Sequence, residues 1–344
     1  MKNDNNILSI VIPTYKRVKF LETIVTCLAV QIKKDGLENL IEVIISDDAS
    51  KDDTGIYVKN VNQNHNFIEG FVQQKNLGVS QNIEWLIKKA KGPYVLICCD
   101  DDLLADGALT YLIATIQEKK PNLIIMNASN IISLDDANKK YKIVLQNRMN
   151  ITQDVFIENW QKDREKLSVA RNWLHMANLA TAVVFKKDIF NKELETAKYY
   201  LRPENVYLFQ APLLIGISKY GRLLLIGQCF VLHRKNETNW TRNIPLEFFI
   251  DTHDPVEVGR LLKKYLPSEY RGYRKHWAAL LMGGLISKAS AGIMVRKFAW
   301  NALLKNLNIF PENIQFLSMT IAPKLVTKIS PKLRKYKQSI KGNK

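Results

Sequence analysis

A strand that runs directly into three aspartates is the feature that most constrains this chain. Residues 94–99 form an unbroken apolar run, typical of a strand buried on both faces, and Asp100, Asp101 and Asp102 follow at once. Three carboxylates at one strand end repel each other, so the pattern indicates a divalent cation with oxygen ligands. Alternation along an extended chain predicts Asp100 and Asp102 facing the metal and Asp101 turned away. A solvated acidic turn before a helix capped by Asp106 is the alternative.

The composition is that of a globular protein without a membrane span. The chain has 344 residues, of which 47% are hydrophobic and 24% charged. No apolar run reaches the roughly 18 residues that span a bilayer, and the N-terminus lacks the basic segment and cleavage site of a secretory signal. The four cysteines have no metal-site spacing, so we expect reduced thiols and a cytoplasmic protein.

The positive charge is concentrated in the C-terminal region. Residues 255–344 carry 18 Lys and Arg against three Glu, a balance of +15 out of the chain's +17. Residues 319–344 place lysines opposite an apolar face, which favours binding to an anionic membrane surface. Residues 270–307 are better explained as a helical pair packed on the preceding domain. No RNA-binding or helix-turn-helix signature accompanies the charge, so no nucleic-acid partner is expected.

The first 120 residues alternate strands with helices. The predicted strands are 7–12, 41–46, 67–72 and 94–99, and the predicted helices are 18–32, 81–90 and one that starts near 106. Such alternation predicts a parallel sheet covered by helices, with ligands beyond the carboxyl ends of the strands. Polar residues follow three of these strands at Thr14, at Asp47 and at Asp100, which indicates one site at that edge.

The middle of the chain is less regular. Strands are predicted at residues 122–126, 141–145, 179–185 and 222–232. Helices are predicted at residues 154–173, from 188 onward, and at 204–218, and only helices are predicted after Pro255.

Four segments together resemble family 2 glycosyltransferases of the GT-A fold, of the kind used in bacterial surface polysaccharide or O-antigen assembly. They are LSIVIPTYKR, IEVIISDDASKDDT, NLGVSQN and YVLICCDDD, in that order. The resemblance implies an α/β fold with a mostly parallel, Rossmann-like sheet, as in nucleotide-diphospho-sugar transferases. It implies a catalytic domain at residues 1–245, with a nucleotide-binding half (1–125) and an acceptor half (126–245). A basic helical region, residues 246–344, follows.

The resemblance implies an inverting, metal-dependent hexosyl- or deoxyhexosyltransferase. Its donor would be a UDP-, GDP- or dTDP-linked sugar and its acceptor a hydroxyl of a glycan or polyprenyl-linked glycan, at the inner face of the cell membrane. A nucleotidyltransferase is one alternative, but PTYKR is not the glycine-rich phosphate loop that it would need. A non-catalytic, basic membrane-surface protein with a degenerate domain is the other.

Carried over position by position, the family's motifs assign a nucleotide site. Asp47 would accept a ring N–H of the base, with Asp48 beside it, and Asp101 would contact the ribose. The other residues assigned to the nucleotide are Pro13, Thr14, Tyr15, Lys75, Asn76 and Gly78. Lys75 stands where the family often has Arg. A compact ammonium group therefore replaces a planar guanidinium, which can donate two parallel hydrogen bonds.

The same resemblance assigns a metal site. Asp100 and Asp102 correspond to the DXD motif that holds Mn²⁺ or Mg²⁺ on the diphosphate, and His233 would complete the metal shell or contact the diphosphate. Arg234 and Arg242 would pair with phosphates or be solvated.

The general base is assigned at the start of a helix about 100 residues after the DXD motif. The family usually has a Glu-Asp pair there, and this chain has Glu204-Asn205. Asn205 cannot act as a base, so the resemblance points to Glu204, with Asp188 as the weaker alternative.

Overall fold

The computed structural model describes residues 5–63, 65–135, 140–144, 147–169, 173–177, 179–203, 205, 208–234 and 255–271. The chain divides into two compact units, residues 1–254 and 255–344. The predicted domain boundary at residue 245 lies outside the described residues, so it stays a prediction.

One ten-stranded mixed sheet forms the framework of the first unit. Its strands are β1 (Leu8–Thr14), β2 (Ile41–Asp47), β3 (Ile68–Val72), β4 (Tyr94–Ile97), β5 (Leu103–Leu104), β6 (Leu123–Asp135), β7 (Lys140–Val144), β8 (Val155–Ile157), β9 (Val183–Lys186) and β10 (Leu223–Arg234).

Helices connect these strands. They are α1 (Val18–Lys34), α2 (Thr54–Asn60), α3 (Val79–Lys89), α4 (Ala108–Lys119), α5 (Trp160–Asp163), α6 (Trp173–Ala177), α7 (Lys187–Tyr200) and α8 (Ala211–Tyr220), and α9 (Pro255–Tyr265) lies in the second unit. Short 3₁₀ helices occupy Val61–Gln63, Arg164–Val169 and Ala180–Ala182. Among the described residues, no helix is both long and apolar enough to cross a bilayer.

The order of the main path of the sheet is β3-β2-β1-β4-β9-β6-β10-β5. The first four strands are parallel, so the carboxyl ends of β2, β1 and β4 lie side by side. Strand β9 runs antiparallel between β4 and β6, although it comes from the second half of the chain. β10 then pairs parallel with β6 and antiparallel with β5.

Hydrophobic burial explains these elements. Every described position of β2 and β4 is buried, as expected for strands covered on both faces. Helix α1 buries residues at helical spacing, among them Leu21, Ile24, Leu28 and Ile32, and ends with Lys33 and Lys34, whose charges favour the helix C-terminus.

Several predicted elements differ from the structure. Residues 155–157 form strand β8, followed by short helical turns, where one helix over 154–173 was expected. Helix α8 begins at Ala211, whereas the sequence predicts a start at residue 204. Helix α4 begins after Gly107, whose φ of 78° suits glycine, and Asp106 is not its cap.

Candidate functional site

The predicted polar clusters meet at one edge of the sheet. Thr14 and Asp47 are paired in register at the ends of β1 and β2, and β4 ends at Ile97 on the other side of β1. Residues 98–102 leave the strand as a turn. The three aspartates therefore do not lie in an extended strand. The prediction that their side chains alternate, with Asp100 and Asp102 on one side, is wrong because β4 ends before them.

Asp100 is buried and held by two partners from the first strand–helix connection. The Thr14 hydroxyl donates to Asp100 Oδ2 at 2.7 Å, and Arg17 Nη1 donates to Asp100 Oδ1 at 2.9 Å. The same Arg17 nitrogen lies 2.9 Å from Asp101 Oδ2, so one guanidinium bridges two carboxylates.

Asp102 is almost fully buried and is held from the second half of the chain. The Thr181 hydroxyl donates to Asp102 Oδ2 at 2.6 Å, and His233 Nδ1 lies 2.8 Å from Asp102 Oδ1. The backbone N–H of Arg234 donates to Asp102 Oδ1 at 3.3 Å. Thr181 also accepts the backbone N–H of Cys99, at 3.0 Å. The fold therefore brings His233 to the aspartates.

Burial and mutual repulsion disfavour ionisation of two aspartates. Burial, reinforced by the charge of Asp101, raises the pKa of Asp100 to about 6 even though Arg17 and Thr14 act in the opposite direction. Burial, with the charge of Asp102, also raises the pKa of Asp101. Burial disfavours the charged form of Arg17, but the charges of Asp100 and Asp101 outweigh it and raise the pKa of the guanidinium.

The donor atoms at this edge fit a divalent cation. Ligand atoms of Cys99, Asp101 and Asp102 lie within 4.8 Å of one another. This group includes Asp101, which the sequence predicts to turn away from the metal, and it does not include Asp100, which instead shares Arg17 with Asp101. Carboxylate oxygens are the ligands that Mg²⁺ and Mn²⁺ prefer, and imidazole is also compatible with Mn²⁺. A bound cation would offset the burial and the mutual repulsion that raise the pKa values of Asp100 and Asp101, so the residues present suit the predicted metal.

Asp47 and Asp48 contact different partners. The Asp47 carboxylate accepts the backbone N–H of Ser50 at 3.1 Å and the Ser50 hydroxyl through a short hydrogen bond. The Asp48 carboxylate accepts the backbone N–H groups of Leu77 and Gly78 at 2.6 and 2.9 Å. Burial raises the pKa of Asp48, and the two backbone hydrogen bonds oppose this shift.

The loop before α3 is fixed to the end of β2. Asn76 Nδ2 donates to the Asp48 carbonyl at 3.3 Å, and Asn76 Oδ1 accepts the Gly78 N–H at 3.1 Å. Gly78 has a φ of 79°, a left-handed conformation that favours glycine. Lys75 and Asn76 are exposed in this loop.

Other predicted residues are placed as follows. Pro13 is half-buried within β1 and Tyr15 is 42% exposed just beyond it, with Lys16 Nζ 5.0 Å from the centre of its ring. Glu204 and Arg242 lie outside the described residues. Asp188 follows β9, whose end at Lys186 pairs with Tyr94, so the structure places Asp188 at the opposite edge of the sheet from the aspartates.

Sequence reasoning assigned no role to Arg17, Thr181 or Cys99. Arg17 stands inside the PTYKR segment, which was a usable signal, whereas Thr181 lies about 80 residues from Asp102 and nothing in its own segment distinguishes it. Thr181 reaches Asp102 only because β9, which follows Thr181, pairs antiparallel with β4.

Comparison with known proteins identifies the family. The model for glycosyl transferase family 2 matches residues 9–194, more than half of the chain. The chain belongs to glycosyltransferase family 2. The predicted family is confirmed, and with it glycosyltransferase activity.

Two curated relatives carry names consistent with this family. The chain is 26% identical to glycosyltransferase GlyG of Streptococcus pneumoniae over 269 residues, which cover 74% of this chain and 82% of GlyG. It is 34% identical over 112 residues to the GalNAc(5)-diNAcBac-PP-undecaprenol beta-1,3-glucosyltransferase of Campylobacter jejuni, covering 32% of this family 2 chain and 35% of that enzyme.

The solved structures confirm the GT-A fold. Crystal structures of S. aureus TarS 1–349 match 90% of this chain and 83% of theirs. The complex with UDP-GlcNAc has a TM-score of 0.64 at 15% identity, and the complex with UDP has a TM-score of 0.62 at 16% identity. At this identity the likeness establishes the shared fold alone.

Proposed function

We propose that this family 2 glycosyltransferase is an inverting, metal-dependent enzyme that transfers a sugar from a nucleotide diphosphate donor to a hydroxyl of a lipid-linked glycan. The observation that carries the proposal is the cluster of Asp100, Asp101 and Asp102 beside the Asp47–Asp48 loop. A carboxylate cluster supplies a site for a cation and a diphosphate, and the neighbouring loop supplies a site for a base. The TarS structures, one with UDP-GlcNAc and one with UDP, support a nucleotide sugar as donor.

At the donor site, Asp100 and Asp102 would hold Mn²⁺ or Mg²⁺, with His233 as a third ligand or as the group that orients Asp102. When bound, the cation would neutralise charge on the departing nucleotide diphosphate. Thr181 fixes Asp102 by a hydrogen bond of 2.6 Å, which keeps one carboxylate oxygen in place.

The nucleotide would lie across the ends of β1 and β2. Asp47 would accept an N–H of the base, while Pro13, Thr14 and Tyr15 would line it and Asp101 would meet the ribose. Asp48 would act through the loop, because its carboxylate holds the backbone N–H groups of Leu77 and Gly78 in place. Lys75, exposed in the same loop, would face the phosphates.

The acceptor would be deprotonated by Glu204, the residue assigned by the resemblance. Inversion requires one base on the acceptor side and no covalent intermediate. The name of the Campylobacter relative, which includes an undecaprenol diphosphate, supports a polyprenyl-linked acceptor. Proton NMR of the product of one turnover would show the inverted anomer, and Glu204→Gln should lower kcat while donor binding is kept. A retained anomer would contradict the mechanism.

Peripheral attachment to the inner face of the cell membrane belongs to the same proposal. Its support is the balance of +15 over residues 255–344. Residues 319–344, to which we assign this contact, lie outside the described residues.

The donor site is tested by titrating UDP, GDP, dTDP, CDP and ADP into the enzyme in a calorimeter, with Mn²⁺ and with EDTA. We expect one nucleotide to bind only with Mn²⁺. Asp102→Asn should weaken that binding at least about tenfold, because it removes a charged ligand. Asp106→Asn is the matched control, since Asp106 is 84% exposed and close in sequence. Nucleotide binding of equal affinity with Mn²⁺ and with EDTA would reject the metal-dependent donor site. An equal loss of nucleotide affinity in Asp102→Asn and Asp106→Asn would reject it as well.

A further inference from the structure

One nitrogen of Arg17 lies between two of the aspartates that we assign to the donor site. Nη1 is 2.9 Å from Asp100 Oδ1 and 2.9 Å from Asp101 Oδ2. The Arg17 side chain is 24% exposed, and that of Asp100 only 5%. Charge-assisted hydrogen bonds of this length in a partly buried site are among the stronger polar contacts in proteins.

A guanidinium in this position competes with a divalent cation. Both neutralise the same carboxylates, and two cations within a few ångströms of each other repel strongly where water is largely excluded. A cation that binds Asp100 must therefore weaken or displace the contact of Arg17 with that carboxylate.

Arg17 has anchors that do not depend on the carboxylates. Its backbone N–H donates to the buried Thr54 hydroxyl at 3.1 Å. Its guanidinium carbon lies 5.9 Å from the centre of the Phe20 ring, and the guanidinium carbon of Arg234 lies 4.9 Å from that same ring. Aromatic rings attract guanidinium groups, so a displaced Arg17 side chain would stay at this edge of the sheet.

We propose that Arg17 exchanges partners during donor binding: it neutralises Asp100 and Asp101 before the metal binds, and then pairs with the donor diphosphate. The proposal rests on the donor site proposed above and adds a residue to it. Guanidinium matches phosphate oxygens in a bidentate fork, a geometry that Lys75 cannot supply. Arg17 would then neutralise the carboxylates in the metal-free enzyme and the phosphates in the enzyme with metal and donor bound.

The proposal predicts two effects of opposite sign in Arg17→Gln. Calorimetry with Mn²⁺ alone should show binding about tenfold tighter than in the wild-type enzyme, the equivalent of one lost competing charged hydrogen bond. At saturating Mn²⁺, the nucleoside diphosphate that binds the wild-type enzyme best should bind about tenfold more weakly. A general loss of structure would weaken both, so opposite signs distinguish the exchange from a folding defect.

Two further variants complete the test. Arg17→Lys keeps the charge without the fork, so it should leave Mn²⁺ affinity near the wild-type value and still weaken diphosphate binding. Arg222→Gln is the matched control, because Arg222 pairs with Glu158 at the opposite end of β10 from Arg234, and it should change neither affinity.

The outcomes separate this proposal from the donor site itself. If the wild-type enzyme binds Mn²⁺ and a nucleotide but Arg17→Gln binds Mn²⁺ no more tightly, or the diphosphate as well as before, the exchange is wrong and the donor site stands. If the wild-type enzyme binds neither, the donor site and the exchange are both overturned.

Discussion

At the scale of single residues, the site is defined by buried carboxylates whose partners come from distant parts of the chain. Asp100 is held by Thr14 and Arg17 from the first connection, and Asp102 by Thr181 and His233 from the second half. Burial, with the charge of Asp101 added to it, disfavours the ionised carboxylate and raises the pKa of Asp100 to about 6.

This pKa predicts how the stability of the metal-free enzyme changes with pH. The folded-state pKa of Asp100 lies above its unfolded value near 3.8, so the folded state binds the proton more tightly and stability falls as pH rises through about 4 to 6. The loss approaches roughly 3 kcal/mol at pH 7, at about 1.4 kcal/mol per pKa unit.

Urea unfolding in EDTA at pH 4.5 and pH 7 measures roughly 2 kcal/mol of this loss, because the unfolded carboxyl is already largely ionised at pH 4.5. We expect the Asp100→Asn variant to lose less stability than the wild-type enzyme over the same interval, because the amide does not ionise. Glu118→Gln, an exposed substitution on α4, is the control and should follow the wild-type enzyme. Parallel pH dependence in Asp100→Asn and wild type would show that Asp100 ionises normally.

At the scale of elements, the loop between β3 and α3 depends on Asp48. The backbone N–H groups of residues 77 and 78 both donate to this carboxylate, and the Gly78 N–H also reaches Asn76 Oδ1. The Asn76 amide in turn donates to the Asp48 carbonyl. The loop therefore takes its position from β2 rather than from its own sequence.

Replacing Asp48 by Ala should release this loop. We expect faster hydrogen exchange at Leu77 and Gly78, and nucleotide binding weakened about tenfold or more, because two hydrogen bonds to a charged group are lost. Asp53→Ala is the control, since Asp53 is exposed before α2 and makes no side-chain cap there. Unchanged exchange at residues 77 and 78 would show that the loop is held by other contacts.

Elements with strong local patterns could be predicted from the sequence. Strand β2 was expected at residues 41–46 and spans Ile41–Asp47, and α1 was expected at 18–32 and spans Val18–Lys34. Both bury continuous or helically spaced apolar residues. Strand β8 has three residues, and the 3₁₀ turn Ala180–Ala182 replaces the first part of a predicted strand. Such short elements depend on tertiary pairing, which periodicity does not encode.

The candidate site was predictable to a similar extent. The fold brings Thr14, Asp47, the three aspartates and His233 to one edge of the sheet, where the motifs indicated a site. Thr181 was missed because a contact across about 80 residues leaves no periodic signal, whereas Arg17 was missed although it stands inside the PTYKR segment. Asp188 was a candidate by sequence distance, and the antiparallel direction of β9 carries it to the other edge.

At the scale of the whole molecule, the family match and most of the positive charge lie in different units. The family match ends at residue 194, and residues 255–344 carry +15 of the net charge. Each Lys or Arg near an anionic bilayer contributes about 1 kcal/mol of binding, and salt screens this attraction.

The full chain should therefore cosediment with anionic vesicles and detach as salt is raised. Phosphatidylserine-containing vesicles are compared with neutral phosphatidylcholine vesicles at about 0.05 and 0.5 M salt, concentrations chosen to span weak and strong screening. Asp102→Asn should bind vesicles as the wild-type enzyme does, since its defect lies at the donor site. Equal binding to neutral vesicles, or none to anionic ones, would count against the electrostatic attachment.

The position of β9 limits how this enzyme could be recombined with others. Residues 183–186 separate β4 from β6, and Thr181 just before them contacts Asp102. A chimaera joined once near residue 125, with residues 1–125 from this enzyme and the remainder from another, would receive a foreign central strand and a foreign neighbour for Asp102. A graft that takes residues 179–186 from the same enzyme as residues 1–125 keeps the native strand and the native neighbour of Asp102. We therefore expect a chimaera with additional junctions on either side of residues 179–186 to fold better.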